Sequence, residues 1–326
     1  MRTGQSGSLV GRTLGGYEIG PPLGEGGMGT VYRARTVREG PAGPAGSIVA
    51  LKVFHPELVA DETTFRRFQR EAELGMKIRH GNVVRTYETG NETLDETPYH
   101  FMAMELVEGQ TARGLIQEMG TVPEHLIYML IDQALDGLGA VHAQGMIHRD
   151  LKPENLVLTP EHRLLLMDLG VARLQQEGRD LTRAGEFVGS LAYAAPEQFL
   201  DQDRVGPLAD IYALGVVMYE MATGKNPFGA AELSIVLTQK VKGLVRRPRL
   251  VHRDLEPFLE EVILTCLKQE PAERFKSCEE MREVLRSGEV GEWWKKRTAA
   301  AMSGMSVASF SSSPPRKSAS PSASAW

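Results

Sequence analysis

Residues 208–224 read LADIYALGVVMYEMATG, and this run constrains the fold more than any other. Its spacing predicts a helix that is apolar on nearly every side, with Gly224 as its C-terminal cap. Such a helix is stable in water only when other elements wrap it all round. It falls short of the ~18 uninterrupted apolar residues of a spanning helix, and no other run reaches that length, so no membrane span is expected. The chain must therefore supply its own shell. With 326 residues and 42% hydrophobic content, it has the material for a sizeable core.

The periodicity on either side of this helix divides the chain. The glycine-rich residues 1–16 are expected to be a flexible N-terminus. From Tyr17 onward, YEIGPPLGEGG, TVYRARTV and SIVALKVF read as short strands, with the Pro/Gly-rich stretch 38–47 as a long hairpin connection. A single amphipathic helix follows in DETTFRRFQREAELGMKIRHGN, carrying Phe65, Phe68, Ala72 and Met76 at helical spacing behind Asp61 as N-cap. Two more strands, VVRTYETG and YHFMAMELV, complete a β-rich lobe over residues 17–107. Residues 108–287 follow a helical period, with Leu126, Leu130, Ala134, Leu138 and Val141 along one stripe and Gly145 after its end. Residues 288–326 form a Ser/Pro/Ala-rich tail too poor in apolar residues to fold alone. Trp293 and Trp294, ahead of KKR, are read as closing the last helix against the core rather than as a membrane-surface segment.

Charge and cysteine content exclude several functions. A net charge of −5 gives no reason to expect nucleic acid or an anionic membrane as a partner. Two cysteines, Cys266 and Cys278, are too few for a disulfide framework or a thiolate zinc site and read as packed thiols. The N-terminal segment lacks the apolar core of a signal peptide, so a cytoplasmic location is expected.

Three constellations carry chemistry. Gly24, Gly26 and Gly29 stand in G-x-G-x-x-G spacing between strands, where bare backbone can approach phosphate oxygens. A dinucleotide fold would open a helix at the last glycine, whereas TVYRARTV continues as strand. In VALKV, Lys52 shares a strand face with Ala50, while Leu51 and Val53 point the other way. A lysine buried there needs an anionic partner, and Glu71 on the amphipathic helix is the candidate. Finally, HRDLKPENLVL at 148–158 and LLLMDLG ending in the Asp168 motif gather a carboxylate base, Asp150, with two metal-directed oxygens from Asn155 and Asp168. Pro153 stiffens that turn, and Lys152 adds a cation. His148 reads as a packed, hydrogen-bonded core histidine. Phosphoryl transfer depends mainly on positioning and charge neutralisation, which explains why these groups cluster.

Taken in order, Gly24-Gly26-Gly29, Val31, Ala50-x-Lys52, Glu71, HRDLKPEN, DLG at 168–170, APE at 195–197, Asp210 with Gly215, and Arg274 resemble the eukaryotic-type serine/threonine protein kinases of bacteria. The resemblance covers roughly residues 17–287. It implies an α+β, two-lobed protein kinase fold with a β-rich N-lobe containing one helix and a mainly helical C-lobe. It also implies transfer of the γ-phosphoryl group of ATP, with Mg²⁺, to serine or threonine hydroxyls of proteins, including autophosphorylation by self-association. The catalytic set it implies is Asp150, Lys152, Lys52 and Glu71. Leu23, the three glycines, Val31, Ala50, Lys52, Met104, Glu105, Val107 and Val157 would hold the nucleotide, and Asn155 and Asp168 the metal. Arg149 with a phosphorylated Thr182 would be regulatory, and Glu197 with Arg274 a structural ion pair. Ser190 stands where relatives carry threonine, Leu169 where they carry phenylalanine, and Gly75 where they place a bulkier residue in mid-helix. A pseudokinase scaffold is the alternative of a different class, but its usual mark, loss of Lys52, Asp150, Asn155 or Asp168, is missing. A small-molecule phosphotransferase is disfavoured by the APE and Asp210 elements, which resemble a peptide shelf.

Overall fold

The computed structural model describes residues 9–26, 29–55, 72–169, 189, 191–201, 204–229 and 232–299. Its first layer is a six-stranded antiparallel sheet. The strands are β1 (Thr13–Leu14), β2 (Tyr17–Gly26), β3 (Gly29–Thr36), β4 (Ile48–Phe54), β5 (Thr86–Leu94) and β6 (Thr97–Met104), in the spatial order β1-β2-β3-β4-β6-β5. Strand alternation works as the sequence implies. Leu51 and Val53 enter one apolar cluster with Tyr17, Ile19, Phe101 and Ala103. Ala50 enters the other, with Val84, Met104 and Leu165. The Pro/Gly stretch is a long connection between β3 and β4, in which the Thr36 hydroxyl donates to the Pro44 carbonyl and accepts from the Ser47 N–H.

Residues 9–16 correct the expected flexible N-terminus. Leu9 and Leu14 are buried in the sheet cluster, and β1 pairs with β2 through Thr13↔Glu18 and Leu14↔Tyr17. Glycine content suggested a loose segment, whereas two well-spaced leucines tie it down. Of the predicted amphipathic helix, residues 56–71 lie outside the described set, and residues 72–75 are helical. Gly75 is therefore the last helical residue rather than a mid-helix one, a place where glycine costs little.

A small second sheet joins β7 (Gln110–Thr111), β8 (Leu156–Leu158) and β9 (Leu164–Leu166). The rest of this lobe is helical: α1 (Ala112–Met119), α2 (Glu124–Ala143), α3 (Glu197–Leu200), α4 (Leu208–Thr223), α5 (Leu233–Val241), α6 (Pro257–Cys266) and α7 (Cys278–Ser287). α4 is the predicted central helix, and every residue from Ala209 to Thr223 is buried. Its contact with α6 is close enough that a Cβ at Gly215 would lie 2.5 Å from the Cys266 Cβ. The lobes join at residues 82–84, where the Val84 N–H donates to Leu166 O (3.0 Å) and the Leu166 N–H to Asn82 O (2.9 Å).

The chain divides into two units, residues 1–285 and 286–326. In the second, the tail expected from residue 288 begins with structure: a 3-10 turn at Gly288–Val290 and a helix over residues 292–299. There Arg297 lies 4.7 Å from the Trp293 ring centroid. Among the described residues no helix is long and apolar enough to cross a membrane.

Both cysteines are free and buried. Burial raises both thiol pKa values, that of Cys278 to about 12 and that of Cys266 further. The thiolate is the reactive form. A thiol reagent at mildly alkaline pH should therefore label neither cysteine in the native protein and both in urea, counted by intact mass.

Candidate active site

The site is organised by one carboxylate. Asp210, fully buried on α4, accepts the His148 N–H at Oδ2 (2.9 Å) and the Arg149 N–H at Oδ1 (2.8 Å). His142 Nε2, from the end of α2, lies 2.7 Å from Oδ2, and Cys278 Sγ lies 3.5 Å from the other ring nitrogen. The turn needs such an anchor, because Arg149 sits at φ +66°, in the left-handed region that non-glycine residues rarely adopt. His148 is packed at 0% exposure as expected. Its ring nitrogens, however, have no hydrogen-bond partner among the described residues, so the anchoring runs through its backbone.

Beyond this anchor the turn collects its polar groups. Lys152 Nζ donates to Asp150 Oδ2 (2.8 Å), and Asn155 Nδ2 donates to Asp150 O (2.8 Å) and Oδ2 (3.2 Å). Pro153 opens the 3-10 turn that carries Asn155. The Met167 N–H bonds Asn155 O (2.9 Å), joining this turn to the segment that carries Asp168. Asp168 also has a left-handed backbone, φ +56°. From the opposite lobe Lys52, 6% exposed, reaches Asp168 Oδ1 at 2.7 Å. Burial disfavours the Asp168 carboxylate, yet Lys52, then Lys152 and His148, outweigh it and hold its pKa below the usual value. The sequence suggested Glu71 as the partner of Lys52. Glu71 lies outside the described residues, and the partner found is 116 residues away in sequence. Among the described residues no group of three or more His, Cys, Asp or Glu is placed to hold a metal ion.

An apolar layer lies beside these groups. Ala50, Val84, Met104 and Leu165 are buried together, with Val31, Leu106, Val107 and Met167 against them. Register explains the grouping: Val31 is opposite Lys52, Ala50 opposite Met104, and Val157 opposite Leu165. Sequence reading named Val31, Ala50, Met104, Val107 and Val157 but missed Leu165 and Met167. Alternation along LLLMD places those two on one face and could have found them. Leu23 is half exposed at the rim. Of the Glu105 backbone groups, the N–H is already engaged by Arg85 O (2.8 Å).

The three glycines differ in what they do. Gly29 has φ +155°, and a Cβ there would sit 2.1 Å from Val53 O, so no other residue fits. Among the described residues, a Cβ at Gly24 or Gly26 would meet nothing within 4 Å. Among the described residues, a Cβ at Gly75 would come near Met146 Cε, at 4.0 Å, and not Leu169.

A second polar cluster, also missed by sequence reading, borders the Asp150 turn. Arg113 on α1 donates to Glu154 Oε1 (2.8 Å), Glu220 Oε1 (2.7 Å) and the Tyr193 hydroxyl (2.5 Å), and Tyr193 in turn donates to Glu220. Burial opposes the charge of Arg113, but Glu220 and Glu154 raise its pKa above that of an ordinary arginine. The expected Glu197–Arg274 pair is present, bidentate at 2.7 and 2.8 Å and almost fully buried. Gln198 Nε2 reaches Arg149 O at 3.4 Å. Thr182 and Ser190 lie outside the described residues.

The site thus joins a lysine–aspartate pair across two lobes, an aspartate on an anchored turn and a glycine hairpin whose Val31 packs on the apolar layer. The protein kinase domain family matches residues 17–286. The chain belongs to the protein kinase family. It is 33% identical over 270 residues to the serine/threonine-protein kinase PknB of Mycobacterium tuberculosis, across 82% of this chain and 42% of that protein. It is also 33% identical over 300 residues to the serine/threonine-protein kinase pkn3 of Myxococcus xanthus, across 88% and 52%. The solved kinase domain of Mycobacterium tuberculosis PknI superposes with a TM-score of 0.66 at 27% identity, across 86% of this chain and 99% of that one. This kinase chain thus spans about half the length, or less, of the curated relatives it matches. Membership implies ATP as the phosphoryl donor, a divalent metal and protein substrates in general terms.

The Asp210 anchor can be tested directly. Asp210→Asn leaves one acceptor oxygen and turns an amide N–H toward a backbone N–H. Misplacing a catalytic turn by about 1 Å can cost ~10²-fold in rate. The expected outcome is a fall in kcat of that order with little change in the KM for ATP, measured in a steady-state transfer assay on protein shown to be folded.

Proposed function

We propose that this chain is a serine/threonine protein kinase that transfers the γ-phosphoryl group of ATP, with Mg²⁺, to hydroxyls of proteins, itself included. The observation that carries the reading is the convergence of Lys52, Asp150, Lys152, Asn155 and Asp168 through contacts of 2.7 to 3.2 Å. The pseudokinase reading has no comparable support, since none of these groups is lost. A cytoplasmic setting, where ATP and protein substrates are both present, completes the proposal, with self-association bringing one copy to another for autophosphorylation.

The residues present fit the nucleotide and the metal. Gly24 and Gly26 would leave the hairpin backbone open, and the apolar layer matches a flat base. Val107 and the Glu105 carbonyl would hold the edge of that base, and Leu23 would cover it. Glu71 would share Lys52 with Asp168. Asn155 turns its amide nitrogen toward Asp150, which leaves its carbonyl oxygen for a cation beside the Asp168 carboxylate. Mg²⁺ suits such a sparse oxygen set, because it commonly uses one or two carboxylates with phosphate oxygens and water. Bound there, it would neutralise phosphate charge. Lys52 would clamp the α- and β-phosphates, and Lys152 would steady the γ-phosphate. Asp150 would orient the substrate hydroxyl and take its proton. Tyr193, Ala194 and Ala195 precede the Glu197–Arg274 anchor, and Tyr193 is joined through Arg113 to Glu154; this segment would support the substrate chain.

Two mutations test the core of the proposal. General-base catalysis typically contributes ~10²- to 10⁴-fold. Asp150→Asn should lower transfer by that range, and Lys52→Met should abolish autophosphorylation, with both proteins retaining wild-type circular dichroism. Wild-type turnover by Asp150→Asn would remove the role assigned to it.

The regulatory part of the proposal concerns Arg149 and Thr182. A phosphate on Thr182 would bring roughly −1.5 to −2 charges and could form one to three charge-assisted bonds. Thr182→Ala and Arg149→Ala should lower activity by similar factors, and the double mutant should lose little more than either. Additive losses, or active enzyme with unmodified Thr182 by mass spectrometry, would exclude the pairing.

A further inference from the structure

Lys240 on α5 is 1% exposed, and the chemistry described so far gives it no task. Its Nζ donates to Ala194 O at 2.8 Å. It also lies 4.0 Å from the ring centroid of Phe228 and 4.8 Å from that of Tyr212. The two rings are stacked 6.2 Å apart, one from α4 and one from the segment after it. Among the described residues no carboxylate pairs with Lys240, and the nearby Glu197 pairs with Arg274 instead. Burial and then Arg274 push its pKa well below the ordinary lysine value.

A buried lysine with one backbone hydrogen bond is a poor stability device. Removing an ammonium from water is costly, and replacing buried charge by apolar side chains is often neutral or stabilising. What the lysine uniquely supplies is a donor directed at one carbonyl. That carbonyl lies in residues 191–196, which connect to the Asp150 turn twice: Tyr193 through Arg113 to Glu154, and the Ala195 N–H through Gln198 to Arg149 O. The rings of Phe228 and Tyr212 lie against the amine and limit where it can stand.

The geometry points to Lys240 as a positioning residue that holds the 191–196 segment, and through it the protein substrate, in register with the Asp150 turn. This rests on the reading of that segment as the substrate side. Helix α5 thereby becomes part of substrate recognition, although its amine never reaches the reacting atoms.

Lys240→Met keeps the unbranched length and removes the donor and the charge. Lys240→Arg keeps both. In Lys240→Met, hydrogen exchange should accelerate ~10-fold or more at 191–196 and stay unchanged along α4. The KM for a peptide substrate should rise ~5-fold or more with the KM for ATP unchanged, while the thermal midpoint is kept or raised. Lys240→Arg should behave as wild type in exchange and KM. A well-folded Lys240→Met with wild-type exchange at 191–196 would overturn the assignment. So would acceleration spread equally over α4, or a Lys240→Met that does not fold, since either would make the lysine a stability element. Identical behaviour of the two variants would also overturn it. Should the wild type phosphorylate no peptide, the kinase reading fails, and the exchange measurement still decides whether Lys240 holds the segment.

Discussion

The molecule is organised around a carboxylate with no solvent. Asp210 is at 0% exposure on a helix whose other buried side chains are nearly all apolar, Glu220 being the one further charge. A lone buried charge would be far too costly to keep, so Asp210 is tolerable only because two backbone N–H groups and the His142 ring surround it. The same contacts work in the other direction. They fix the backbone at His148 and Arg149, directly before Asp150, and so set where the Asp150 carboxylate stands. The burial of α4 and the placement of the reactive turn are therefore one constraint seen from two ends.

Glu220 extends this logic ten residues along the same helix. It too is buried, and it is neutralised by Arg113 from α1 with a hydrogen bond from Tyr193. Asp210 holds the turn that carries Asp150, and Glu220 holds Tyr193 in the segment that is joined to it. Arg113 closes the circuit by touching Glu154 on the turn itself. Arg274 adds a second buried clamp, donating to Glu197 and to the carbonyls of Lys268, Gln269 and Leu208. The two charges that interrupt the apolar run are thus the points at which the core takes hold of the site.

What could be read in the sequence follows from how local each signal is. The HRDLKPEN turn, the strand face shared by Ala50 and Lys52, and the all-round apolar helix are each contained in a few residues, and the structure places all three as read. Contacts between distant segments were not legible from local pattern, and the Glu197–Arg274 pair was expected only through the family resemblance. The pairing of Lys52 with Asp168, Arg113 with Glu220, and Lys240 with Ala194 leaves no periodic trace, because each depends on how separate elements cross. The N-terminal residues mislead for another reason: their glycine content masks Leu9 and Leu14, whose burial depends on the strand that β1 pairs with. Gly29 was legible as one of three glycines, but its distinct requirement appears only when Val53 O is found behind it.

Backbone strain marks where these constraints meet. Arg149, beside Asp150, and Asp168, the partner of Lys52, adopt left-handed conformations that cost of order 1–3 kcal/mol each for non-glycine residues. Each is held by a contact that the strained geometry makes possible. The Arg149 N–H points at Asp210 only because the chain turns sharply there. Asp168 meets Lys52 from the opposite lobe at the end of a segment pinned by the Met167 N–H to Asn155 O. Relaxing either residue would break a buried charge-assisted bond, and losing a partner from such a bond costs more than the strain itself. The site therefore keeps two unfavourable backbones because the buried charges beside them have no cheaper way of being satisfied.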